Sequence, residues 1–240
     1  MSGFFDGMGT LSKADIERLI ADPSPETRVD TAAKVARTFG ERTLTDAERA
    51  LAEQVISLMA RDAEVRVRSA LSQNLKENPD VPHDLAVRLA KDVAEVATPI
   101  LQFSAALSDE DLLAIVESAG QEHQAAVAQR AQVSEAVSSA LVEKGDETVV
   151  GTLMGNAGAA IPEPAMARAI DRFGDSETVS TAMVHRPKLP IAISERLVAL
   201  VSETLREHLV THHELPPDTA ADLLLQTRER ALIGMLAEGQ

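Results

Sequence analysis

The chain contains no cysteine, no tryptophan and no tyrosine, and only five phenylalanines among its 240 residues. Without cysteine, disulfides, iron–sulfur clusters, thiolate zinc sites and thiol catalysis are excluded. The scarcity of aromatics argues against a sheet-rich fold, because strands favour aromatic and β-branched side chains. It also removes the stacking platforms on which single-stranded nucleic acids are held. Positive charge is scarce as well: 23 Lys and Arg stand against 38 Asp and Glu, a net charge of −15. Such a surface repels phosphate, so neither nucleic acid nor an anionic membrane is an expected partner. Cations gathered into one patch would be the exception. No apolar run reaches the roughly 18 residues of a transmembrane helix. The opening residues, Met1 to Gly9, have neither a cationic region nor a long apolar one, so a secretory leader is not expected. With the lack of cysteine, these features lead us to expect a cytoplasmic protein.

What the chain does have is Ala, Leu, Val and Glu in abundance, a helix-forming mixture whose small side chains let short helices approach closely. One pattern recurs through it: an aliphatic residue, then Pro, Ser or Thr, then a helical stretch. It occurs at Val81-Pro82, Leu107-Ser108, Val133-Ser134, Ile161-Pro162, Leu189-Pro190 and Leu215-Pro216, at spacings of 26, 26, 28, 28 and 26 residues. Ser and Thr cap a helix by accepting a hydrogen bond from a free backbone N–H. Pro fits the first turn, where its missing N–H costs nothing. Eight residues beyond each aliphatic anchor an apolar residue returns: Leu89, Ile115, Leu141, the smaller Ala169, Leu197 and Leu223. Six residues before the anchors stand Leu75, Leu101, Val127, Met183 and Leu209; the fourth copy departs, with Gly155. Each unit therefore reads as two short helices, the second starting at Pro, Ser or Thr.

The N-terminal third has a longer unit. Leu44-Thr45 precedes Val81 by 37 residues, and the related segments that begin at Asp22 and Asp62 place Glu26 and Glu64 38 residues apart. A Glu-Val start returns at Glu95-Val96, with Pro99 inside the helix, where a kink is expected. The sequence thus divides into a flexible N-terminus (1–10), long-period repeats (11–100) and short-period repeats continuous with them (101–240).

The Asp-x-Glu-Val-Arg pattern from Asp62 to Leu71 resembles the helix-pair start of HEAT repeats, and the later units look like the compact repeats of leucine-rich-repeat variants. The segments from Glu95 to Val116 and from Val133 to Asp146, followed by Asn156, resemble an uncharacterised bacterial family of HEAT-like proteins with a domain of unknown function. The resemblance spans about residues 10–235. It implies an all-α solenoid and no reaction.

Apparent chemical motifs reduce to structure on inspection. His208 and His212 are four residues apart, and His213 and Glu214 follow, a spacing that can ligate zinc; the run lacks the internal Glu of a zincin helix, and no metal or other cofactor is expected. The triplet Asp109-Glu110-Asp111 follows Ser108, where acidic residues complement a helix dipole and complete a capping box. The glycines at 151, 155 and 158 lack the Lys-Ser/Thr ending and the preceding strand of a phosphate loop. No nucleophile–base grouping is evident, so no catalytic residue is assigned. Phe4 and Phe5 lie outside the repeats, whereas Phe39, Phe103 and Phe173 are expected in the core.

Four residues stand apart. Arg130, Asn156, His185 and Arg186 fall near the ends of first helices in successive units, where they would form a polar line along one edge. That line is either a partner-binding surface or a set of helix C-caps. We therefore expect an all-α solenoid of about six or seven helix pairs without a sheet, acting as a non-enzymatic protein-binding adaptor or regulatory scaffold. The acidic balance points to a basic or mixed-charge protein segment as partner, and a terminal repeat offers a route to a homodimer. A HEAT-like enzyme, or a small-molecule or nucleic-acid binder, is the alternative, disfavoured by the acidic charge and the lack of Trp and Tyr.

Overall fold

The computed structural model of the chain describes residues 13–40, 44–201, 203–213 and 215. Within them are 14 helices and no strand. After α1 (Lys13–Ala21), the helices alternate between two layers. The first layer holds α2 (Pro25–Phe39), α4 (Val65–Leu75), α6 (Ala94–Phe103), α8 (Gln121–Ala128), α10 (Glu147–Gly155), α12 (Glu177–Val184) and α14 (Glu203–His212). The second holds α3 (Asp46–Met59), α5 (His83–Ala90), α7 (Asp109–Ser118), α9 (Glu135–Lys144), α11 (Glu163–Phe173) and α13 (Ile191–Val198). In the first layer each helix packs on the next from α2 to α14; in the second, α7, α9, α11 and α13 do the same, while α3 and α5 rest chiefly on first-layer helices. The chain is thus an α-solenoid with six complete helix pairs among the described residues.

The second-layer helices start where the pattern places them. Thr45, Ser108 and Ser134 are side-chain N-caps, and Pro82, Pro162 and Pro190 occupy the same position before α5, α11 and α13. Thr45 with Glu48, and Ser108 with Asp111, close capping boxes in which each side chain bonds the other residue's backbone N–H. The anchors Val81, Leu107, Val133 and Ile161 are buried; eight residues on, so are Leu89, Ile115, Leu141, Ala169 and Leu197. Leu75, Leu101, Val127, Met183 and Leu209, six residues before the anchors, are wholly enclosed. One continuous core therefore runs between the layers, and each unit closes its neighbour's apolar face. The last start, Pro216 with Leu223, lies outside the described residues, as do residues 1–10 with Phe4 and Phe5.

The departing fourth copy has a physical reason. Gly155 ends α10 and is exposed, and Leu153 and Met154 fill the core instead. The chain then turns through Asn156–Gly158 and makes one parallel bridge, with Ala160 N–H donating to the Val133 carbonyl at 2.9 Å and Val133 N–H to the Gly158 carbonyl at 3.3 Å. This turn takes up the extra length of the 28-residue interval that follows Val133. Helix length falls along the chain, from 15 residues in α2 and 14 in α3 to between 8 and 11 in α4 to α14. α6 continues through Pro99, which is buried and leaves the Glu95 carbonyl without its usual donor.

Phe39 is enclosed and Phe173 packs against the core, but the expectation of a core Phe103 is corrected: its side chain is 49% exposed. It ends α6 on the side turned away from the second layer, and the Lys76 ammonium lies 4.6 Å from its ring centroid.

Candidate binding face

Every helix ends with carbonyls that have no partner within the helix. A glycine in the left-handed conformation is the common remedy. Among the described residues there is no positive φ at all. First-layer carbonyls are instead served by the following unit. Arg130 donates to the Leu101 carbonyl and, at 2.9 Å, to that of Ser104, at the end of α6. Asn156 donates through Nδ2 to the Ala128 and Arg130 carbonyls after α8, at 2.8 and 2.7 Å. Arg186 donates to the carbonyls of Met154, Asn156 and Ala159 at 2.8, 3.1 and 2.9 Å. His213 Nε2 lies 2.9 Å from the Val184 carbonyl at the end of α12. Burial pushes the Arg130 and Arg186 guanidinium pKa values down; Asp109 opposes it for Arg130. Both cations nevertheless sit where the helix dipole is negative.

Three of the four residues expected along the edge, Arg130, Asn156 and Arg186, are thus brought together as a ladder of C-caps directed into the stack. His185 differs. It is exposed, and its Nδ1 lies 2.8 Å from the Thr181 carbonyl one turn back. Its ring centroid is 4.5 Å from that of His208, which stacks at 4.0 Å on His212. Burial, then the charges of His212, His185 and His213, push the His208 pKa down. His208 and His212 meet face to face and His185 is tilted against them, and among the described residues no three His, Asp or Glu side chains converge to hold a metal ion.

At the opposite end of the same helices a second ladder runs, which the sequence reading did not assign. Arg28 pairs with Asp62 at 2.9 Å, and Arg68 with Asp92 at 2.6 Å while also donating to the Asp62 carbonyl. The Arg68 guanidinium holds the Asp92 carboxyl below the usual range. His123 lies 2.8 Å from the Asp92 carbonyl, and Ser176 donates to Glu147 at 2.5 Å. The signal was present: Arg28 and Arg68 each follow an Asp, Asp22 and Asp62, by six residues. Contacts at both ends fix successive first-layer helices parallel and in register.

This leaves one face of the first layer open, of unusual chemistry. From α6 to α12 the accessible side chains beyond the first turn include Thr98, Gln102, Phe103, Ala125, Gln129, Thr152, Thr181 and Ala182, none of them acidic or basic. Each of these helices carries a carboxylate in its first turn: Glu95, Glu122, Glu147 and Glu177. The second-layer surface carries many charged side chains, laced with pairs, Arg168 to Glu143 at 2.9 Å and Arg196 to Asp171 at 2.6 Å, beside exposed apolar ones at Leu51, Leu58 and Ile191. The open face therefore offers hydroxyls and amides on a neutral floor, bordered along one edge by carboxylates. Gly151, on α10 beneath it, lets α12 approach: an added Cβ would lie 3.0 Å from the Thr178 methyl. The acidic triplet after Ser108 is the capping box of α7.

No helix among the described residues is long and apolar enough to cross a membrane. No curated protein and no solved structure matches the chain in sequence. One family profile does match, over residues 96–239, beginning inside α6 and running through all the later units. The chain accordingly belongs to the family described as uncharacterised protein conserved in bacteria (DUF2336).

Proposed function

We propose that the chain is a non-enzymatic adaptor or regulatory scaffold of HEAT-like repeats, acting in the cytoplasm, that holds a segment of a partner protein along the open face of its first layer. One observation carries this reading. The two outer faces share a scaffold, yet one carries charged side chains with ion pairs among them and the other, from α6 to α12, carries uncharged side chains beyond the first turn beside a line of carboxylates. A neutral, hydrogen-bonding floor suits a polypeptide backbone, whose N–H and C=O groups need partners. The carboxylate edge and the net charge of −15 select a basic or mixed-charge segment and disfavour nucleic acid. The cap ladder contributes by keeping the face rigid, so that little entropy is lost on binding.

Quantitative affinity capture from the native cytoplasm, with cross-linking, tests this. Wild-type protein should enrich a specific partner. Gln129→Arg with Thr148→Arg (Thr148 is exposed on α10 one turn before Thr152), which put bulk and positive charge on the open face, should lose it, while Arg168→Glu on the second layer should keep it. Recovery of no specific partner, or equal recovery by all three proteins, would overturn the reading.

A further inference from the structure

The open face is not uniform. At α6 it deepens into a groove of about 460 Å³ whose lining includes Lys76 at the C-cap of α4, Glu95, Thr98, Pro99 and Phe103 of α6, and Glu122 of α8. Its two ends differ in chemistry. Glu95 and Glu122 stand in the first turns of α6 and α8, and neither is ion-paired among the described residues. Phe103 stands at the far end of α6, half exposed, with Lys76 over one face of its ring. It is the one aromatic among the large apolar side chains exposed in the described residues. The positions one and two units further on hold Gln129 and Gly155, so this apolar end belongs to a single unit.

Geometry sets the length of an occupant. Glu95 and Phe103 are eight residues apart on one helix, or about 12 Å along its axis. An extended chain advances about 3.3 Å per residue, so three or four residues span that distance. Two unpaired carboxylates favour a cation, and a half-exposed ring favours an apolar side chain that takes it out of water. A phosphate-bearing ligand would meet both carboxylates at one end, and a wholly apolar one would strip water from them without compensation.

Building on the adaptor reading above, we propose that this groove binds an extended segment of a partner protein in which a Lys or Arg lies three or four residues from an aliphatic side chain. The cation sits between Glu95 and Glu122, the aliphatic side chain lies against Phe103, and Thr98 hydrogen-bonds the backbone between them.

The test uses the full chain and fluorescein-labelled, end-capped peptides of Ser and Thr. Each carries one Arg and one Leu, at every spacing from adjacent to six residues apart, and affinity is read by fluorescence polarisation. Binding should peak at a spacing of three or four. Phe103→Ala should weaken the best peptide about tenfold, as loss of a central apolar anchor does, and Phe103→Leu should restore most of it. Glu95→Gln with Glu122→Gln should weaken it comparably and abolish its salt dependence. These positions are on the surface, so unchanged helical circular dichroism will show that each variant folds. No binding at millimolar peptide, affinity independent of spacing, or affinity unmoved by these variants would overturn the proposal. Peptides that keep binding these variants but are lost by Gln129→Arg with Thr148→Arg would overturn the groove and leave the open-face reading standing.

Discussion

The two layers of this solenoid solve the same problem in different ways. Neighbouring helices in the first layer are joined by side chains that reach into the backbone of the preceding unit: Arg130, Asn156, Arg186 and His213 to C-terminal carbonyls. Second-layer neighbours are joined by ion pairs at the surface, His83 with Asp111, Arg168 with Glu143, and Arg196 with Asp171, and at one step by Arg172, which donates to the Val142 and Glu143 carbonyls at the end of α9. A buried carbonyl that loses its donor carries its full desolvation cost, whereas an exposed ion pair returns to water almost without loss. The first layer therefore sets the stability and register of the stack. The second, Arg172 apart, is the tolerant side, free to vary in charge.

The largest effect should come from the turn between the two helices of the fourth unit, which bridges back to Val133 of the preceding one. A Cβ on Gly158 would lie 1.9 Å from the Ala131 carbonyl oxygen, which is backbone and cannot swing aside. Gly158→Ala should cost about 3 kcal/mol, at the upper end of overpacking, and loosen the Val133–Ala159 bridge. Denaturant unfolding checks the first, and hydrogen exchange at Val133 and Ala160 the second. Next comes Arg130→Ala, which strips donors from Leu101 and Ser104; about 2 kcal/mol is expected, as for charge-assisted bonds to buried acceptors. Asn156→Ala should follow at about 1–2 kcal/mol, the loss of two neutral bonds. If Arg130→Ala and Asn156→Ala prove neutral, the ladder does not hold the first layer.

How far the sequence foretold this depends on whether a feature is local. Helix starts are local, because a Ser or Thr and the amide it caps lie three residues apart; Thr45, Ser108 and Ser134 were therefore legible. Core positions followed from period. Residues whose partners lie a full unit away were harder. Arg130, Asn156 and Arg186 were found as a line, but a line of polar residues does not reveal whether it faces a partner or the preceding unit's carbonyls. The Arg28–Asp62 and Arg68–Asp92 pairs were written in the repeat marker itself, yet pairing needs the 34- and 24-residue separations that only stacking closes. Phe103 misled for a related reason: its helical phase is apolar, but it falls at a helix end where the next unit supplies no side chain to cover it.

On the second layer the expected effects are small. Arg168→Ala removes the pair with Glu143, in which both side chains are about half exposed. A change within about 0.5 kcal/mol is expected, as for surface pairs generally. Thermal unfolding of Arg168→Ala beside Arg130→Ala, at low and high salt, measures the asymmetry directly. A loss equal to that of Arg130→Ala would erase the distinction between the layers.

The smallest effects, and the ones that set the layers in opposition, concern pH. In the second layer, His83 Nε2 is 2.8 Å from the Asp111 carboxylate across α5 and α7. The hydrogen bond and charge of Asp111 raise the His83 pKa above its ordinary 6.5. Although burial opposes it, bonds from Ser108 and His83 hold the Asp111 carboxyl at about 2, so it is ionised throughout the range concerned. The folded state therefore binds the His83 proton more tightly than the unfolded chain does. That contribution is complete below pH 6.5 and fades as pH rises through the elevated folded value. At the far end of the first layer the sign reverses. Burial and the neighbouring His212, His185 and His213 push the His208 pKa below 6.5. Its contribution is complete above 6.5 and is lost as pH falls through that value toward the lowered one. Between pH 5 and 8, His83→Gln should therefore remove a loss on the alkaline side, and His208→Gln a loss on the acid side. Melting curves of both variants against wild type, across that range and at two salt concentrations, separate the two. The His83 effect should shrink with salt, because that ring is more than half exposed. Slopes of the same sign for the two variants would mean that the stacked imidazoles of α12 and α14 do not oppose protonation.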